Sequence, residues 1–117
     1  MLKKTVITIG LHFKAIWENL KKLYKIVKIL IINFVQNILE YFKDPDRLKK
    51  MAESNDIIAV AIKENLDNGN FNVINCLYDK KTETVVDIKK NALGYENTRM
   101  DTKLLEAFNG TDQLVLQ

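Results

Sequence analysis

Apolar residues recur at heptad spacing between positions 13 and 41, with Phe13, Leu20, Val27, Phe34 and Tyr41 on one line and Ile16, Leu23 and Leu30 on a second. A third line, Trp17, Tyr24, Ile31 and Ile38, widens the strip. The pattern predicts one amphipathic helix over residues 11–43 whose seam is broad enough to require a partner surface. Residues 4–9 alternate weakly and suit a short strand or a frayed first turn of that helix, and the heptad pattern directly after Gly10 favours the turn.

Asp44-Pro45 marks the stop, since proline disfavours helix in the residue before it. The same pair starts a second helix, with Asp44 as N-cap and Pro45 at the first helical position. Leu48, Met51, Ala52, Ile58, Ala59, Ile62 and Leu66 carry that helix toward a left-handed terminus at Asn68-Gly69. Because Ile57, Val60 and Ala61 are apolar too, residues 56–62 suit either a buried helix or a strand. The continuation through Lys63, Glu64 and Leu66 favours helix.

Beyond Gly69 the period drops to two. Segments 71–78 and 84–88 flank a polar stretch over 79–83 and read as a β-hairpin. Residues 91–97, with Gly94, read as a connection. Asp101 then caps a short helix over 102–108 that Asn109-Gly110 terminates, and Leu114, Val115 and Leu116 form a last strand.

The expected fold class is α+β. A long N-terminal amphipathic helix and a second helix precede a small antiparallel sheet made of the β-hairpin, the short helix and the C-terminal strand. The chain divides into a basic helix, 1–43, and a small α+β unit, 44–117. A chain of 117 residues holds one core, not two.

Charge is split between those halves. Residues 1–43 carry eight lysines against two glutamates, whereas 44–117 carry ten Lys and Arg against thirteen Asp and Glu. Lys14, Lys21, Lys22, Lys25 and Lys28 form a basic flank beside the apolar seam. Such a segment suits an acidic protein or a membrane surface. Nucleic acid is disfavoured, because Arg47 and Arg99 are the only residues with the fork geometry that phosphate and base readers use.

Residues 23–42 are long enough to span a bilayer, yet Lys25, Lys28, Asn33, Gln36, Asn37 and Glu40 interrupt them. One central charge costs about 2.5–3.5 kcal/mol on insertion scales, so burial in protein or lying in an interface is favoured over spanning. The basic start at Met1 lacks a small-x-small cleavage site, which argues against a cleaved signal peptide. Cys76 is the one cysteine, so the chain holds no internal disulfide, and a reducing compartment, the cytoplasm, fits best. Lys, Ile and Asn make up 41 of 117 residues, all with AT-rich codons, which points to a low-GC bacterium or one of its mobile elements.

Reactive chemistry is sparse. His12 and Cys76 are single residues with no further motif around them, and a buried hydrophobe is the default role for a strand cysteine. Carboxylates are scattered over helix starts and the hairpin, and Asp67 to Asn70 resembles a calcium loop in composition alone, lacking the following acidic ligand. Asn109-Gly110-Thr111 matches a glycosylation sequon but sits where a helix stop is expected. No catalytic residue, metal or cofactor is expected.

The leading expectation is a non-enzymatic protein–protein interaction module, of the inhibitor, immunity or accessory type, or a helix-mediated homo-oligomer of coiled-coil kind. Binding would run through Phe13, Trp17, Leu20, Tyr24, Val27 and Ile31, with Trp17 and Tyr24 as aromatic anchors. The alternative is a peripheral membrane protein, lying on anionic lipid by its basic amphipathic helix.

Overall fold

A computed structural model describes residues 4–5 and 12–116. Lys4 and Thr5 are strand, paired with Leu116 and Val115, where a helical turn was favoured, and the segment 6–11, including the expected start of the long helix, lies outside the described residues. The long helix itself is not there. Its span breaks into α1 (Phe13–Lys22), β2 (Ile26–Lys28), β3 (Ile31–Ile32), a π-helical turn (Phe34–Leu39) and α2 (Glu40–Phe42).

The break has a local cause. Tyr24 takes φ +56°, a left-handed conformation that ends α1, and five of the seven residues from Ile26 to Ile32 are Ile or Val. β-branched side chains are stiff in a helix and fit a pleated surface well. Lys21 and Lys22 in the last turn of α1 favour a stop at that point through the helix dipole.

The second expected helix is also corrected. α3 (Pro45–Glu53) begins as read, with the Asp44 carboxylate accepting from the backbone N–H groups of Asp46 and Arg47 at 3.1 and 3.2 Å. Residues 57–65 are a strand, β4 (Ile57–Asn65), which forms a hairpin with β5 (Phe71–Asp79). Gly69, at φ +83°, serves the turn of that hairpin and does not end a helix. Ile58 to Ile62 are all buried because both faces of β4 are covered, which yields a continuous apolar run with no alternation.

After β5 the hairpin partner is short, β6 (Thr84–Val85), with Asp79 Oδ1 accepting from the backbone N–H of Lys81 at 2.9 Å to tighten the turn. A single helical turn, α4 (Ile88–Asn91), leads into β7 (Leu93–Met100), where a connection was expected. Then come α5 (Thr102–Phe108) and β8 (Gln113–Leu116), both where the sequence places them. Asp101 caps α5, and Asn109 at φ +50° closes it.

The sheet has eight strands and is mixed, not small and antiparallel. Its order is β1 (Lys4–Thr5), β8, β4, β5, β7, β2, with β3 also on β7 and β6 on β5. β2 and β3 run parallel to β7, and the other pairs are antiparallel.

Helices cover both faces. On one, Ile16 and Leu20 of α1 pack on Ile58, Val60, Ile74, Cys76 and Val115. On the other, Ile38, Phe42, Leu104 and Phe108 pack on Ala59, Ala61, Val73, Leu77, Leu114 and Leu116. Each of the larger of these side chains, taken fully out of water, stabilises the fold by about 1.5–3 kcal/mol. Residues 13–42 therefore supply core to both faces. Among the described residues, no helix is long and apolar enough to cross a membrane.

Candidate functional site

β2 and β3 form one edge of the sheet, and the ladder fixes which way their peptide groups point. The Gly94 N–H donates to the Lys25 carbonyl at 2.9 Å, the Arg99 N–H to Leu30 at 3.2 Å and the Asp101 N–H to Ile32 at 3.0 Å. In a parallel ladder alternate residues face the neighbour, so Ile26, Lys28 and Ile31 turn both N–H and C=O away from β7. Among the described residues, no strand pairs with that side of the edge.

Apolar side chains crowd the same stretch. Tyr24 is 95% exposed and Leu30 86%, with Val27, Ile31 and Val35 also on the outside. Of the seven large apolar side chains exposed among the described residues, only Leu48 and Leu105 lie elsewhere. An exposed edge strand with such neighbours is a template for another chain.

The structure divides the six binding residues read from the sequence. Leu20 is fully buried, and Phe13 and Trp17 stack on each other with ring centroids 5.5 Å apart and pack at the margin of the α1 face. Tyr24, Val27 and Ile31 are exposed on and beside that edge. Leu30 and Val35 join them without having been singled out for binding. The run of β-branched residues beside them was the available signal that this stretch is strand.

In the basic flank, Lys14, Lys21, Lys22 and Lys28 are exposed. Lys21 pairs with Glu18 at 3.8 Å, a contact so solvated that it contributes little. Lys25 differs, because its Nζ donates to the Lys89 carbonyl at 2.7 Å near the end of α4. Desolvation, followed by the Arg47 charge, lowers its pKa, while Asp87 acts the other way.

A second cation holds the same short helix. The Arg47 guanidinium lies 3.8 Å from the Tyr41 ring centroid and donates to the Tyr41 and Lys90 carbonyls, each at 3.2 Å. Beyond it, the Tyr95 hydroxyl and the Asn75 amide both reach the Asn37 carbonyl in the π-helical turn, at 3.4 and 3.5 Å. These bonds tie the irregular backbone of 34–39 to the sheet, where an untied carbonyl would be costly. The buried Tyr41 hydroxyl, with no well-formed hydrogen bond among the described residues, is pushed up to about 12 by burial, partly offset by the neighbouring Arg47.

Cys76 is wholly buried, and that burial pushes its thiol up to about 12, so it stays protonated and inert at neutral pH. His12, exposed, precedes α1. Among the described residues, no group of three His, Cys, Asp or Glu is placed to hold a metal ion. A cleft of about 410 Å³ lies between the β4–β5 turn and the α5–β8 turn. Lys63 sits in it between the Phe71 and Phe108 rings and is already engaged by Asp112 at 3.0 Å and Asn65 at 2.9 Å.

No protein-family model, curated protein or solved structure matches this chain.

Proposed function

We propose that this chain is a non-enzymatic protein–protein interaction module that docks through the β2/β3 edge. One observation carries the reading: Tyr24, Val27, Leu30, Ile31 and Val35 stand exposed on and beside a strand edge whose outward peptide groups have no partner among the described residues. Monomeric surfaces scatter such residues singly, and a cluster beside open main-chain donors and acceptors suits a partner that supplies both. A surface role on anionic lipid would draw on the same tips and lysines, since Ile16 and Leu20 of α1 are already buried against the sheet.

The test is site-specific photocross-linking in the source cells. A cross-linker at position 30 is expected to give one discrete protein adduct, which Ile31→Asp suppresses, whereas the same group at position 82 in the β5–β6 turn gives none. The adduct should reassemble from purified components. Equal yields at both positions, or no adduct at all, would overturn the reading.

A further inference from the structure

Resting on that reading, we propose that the occupant of the β2/β3 edge is an extended acidic segment of another protein, added to the sheet as a further strand. Three features of the edge define it. The peptide groups of Ile26, Lys28 and Ile31 face outward, which offers main-chain donors and acceptors to an extended chain. Val27 and Ile31, part exposed on those strands, and Leu30 between them offer apolar contact to an added strand.

Charge selects among occupants. Lys28 is exposed on β2 and Lys22 in the last turn of α1 just before it, and the Lys25–Lys89 hydrogen bond brings α4, with Lys89 and Lys90, next to the edge. Against these stand Glu18, paired with Lys21, and Glu96, opposite Lys28 on β7, which leaves lysine in excess. A second copy pairing edge to edge would set one lysine row against another, which edge lysines are known to prevent. Glutamate or aspartate on an incoming strand would instead meet opposite charge across the ladder. An acidic, β-prone segment therefore satisfies the backbone, the apolar tips and the lysines together.

The experiment titrates the full chain with a blocked synthetic peptide of about ten alternating Glu and Val residues. Two further peptides accompany it, one with Lys in place of Glu and one with the Glu/Val sequence N-methylated at alternate residues. Vesicles of anionic phospholipid form a separate arm. Readouts are amide chemical shifts and hydrogen exchange. The Glu/Val peptide is expected to bind saturably, to slow exchange at Ile26, Lys28 and Ile31 by about tenfold or more, and to lose affinity as salt rises.

Lys28→Pro removes an outward N–H and leaves the β7 ladder untouched, so it should weaken that binding by about tenfold with the rest of the amide spectrum unchanged. Lys22→Glu with Lys28→Glu should reverse the preference between the acidic and basic peptides. Equal binding by the N-methylated peptide, no binding by the Glu/Val peptide, or protection of the edge by vesicles alone would overturn the proposal. A discrete adduct at position 30 alongside failure of the Glu/Val peptide would sink the acidic strand and spare the interaction reading. Failure of both would sink both.

Discussion

Gly94 lies directly beneath Trp17. A Cβ placed on Gly94 would stand 3.0 Å from Cζ3 of the Trp17 ring and 3.2 Å from Cγ1 of Ile26, so the bare glycine is what lets α1 settle on β7 and β2. Gly94→Ala should therefore cost about 1–3 kcal/mol through overpacking, read as a lower urea midpoint with an unchanged slope. Adding Trp17→Leu should recover part of the loss, because it removes the atom in the way. Simple additivity of the two changes would refute the contact.

Tyr24 and Trp17, neighbours on the heptad line, should separate in their effects. Tyr24→Ala alters a side chain that is 95% exposed and is expected to shift stability by less than about 0.5 kcal/mol while weakening partner association. Trp17→Ala opens a gap over Gly94 and should cost about 2–4 kcal/mol. Thermal or denaturant melts, paired with an association assay, check both. Equal destabilisation by the two would contradict the division of the helix line into packed and exposed parts.

Asp101 caps two elements at once. Its Oδ1 accepts from the Leu104 N–H at 2.8 Å at the start of α5, and from the Phe34 N–H at 3.3 Å where the π-helical turn begins. Asp101→Ala should cost about 1–2 kcal/mol, with Asp101→Asn milder because its side-chain oxygen still accepts. Faster amide exchange should appear at both Leu104 and Phe34. A change confined to α5 would show that the second cap does not matter.

Stability should be flat to mildly alkaline pH and then fall. Burial raises Cys76 from 9.0, and Tyr41 from 10.0, in each case to about 12, so the folded chain holds these protons more tightly than the unfolded chain does. Their contribution is complete below pH 9.0 and is lost progressively between 9.0 and 12. Tyr41→Phe should flatten the part of the decline above pH 10.0 and leave neutral-pH stability equal or slightly higher, since the buried hydroxyl it deletes makes no well-formed hydrogen bond among the described residues. Urea melts across that range decide the matter. A Tyr41→Phe profile superimposable on the parent would exclude Tyr41 as a contributor.

Local chemistry was legible in the sequence wherever it was self-contained. Asp44-Pro45 starts α3, Asp101 and Asn109 bound α5, the polar stretch from Asp79 to Glu83 turns the chain, and Leu114 to Leu116 form a strand, because in each case the deciding hydrogen bonds or dihedrals lie within a few residues. The exposed Tyr24, Val27 and Ile31 of the candidate edge were also named from the sequence, though as part of a helix seam. Periodicity misled at two places. Heptad spacing over 13–41 coexists with β-branched density, and the continuous apolar run of β4 carries a helical period by coincidence.

Tertiary structure decided those cases. β7 contains Gly94, Glu96 and Asn97, poor strand formers that announce nothing by themselves, yet it pairs on both sides. Once β7 is laid against β5, its far side presents peptide groups that residues 26–32 can pair, and the helix expected there gives way at Tyr24 to β2 and β3. Residue order alone fixed the caps, turns and total apolar content of this protein. The sheet order, and with it the open edge, was decided by long-range backbone pairing and by burial on two faces, which depend on partners far apart in the chain.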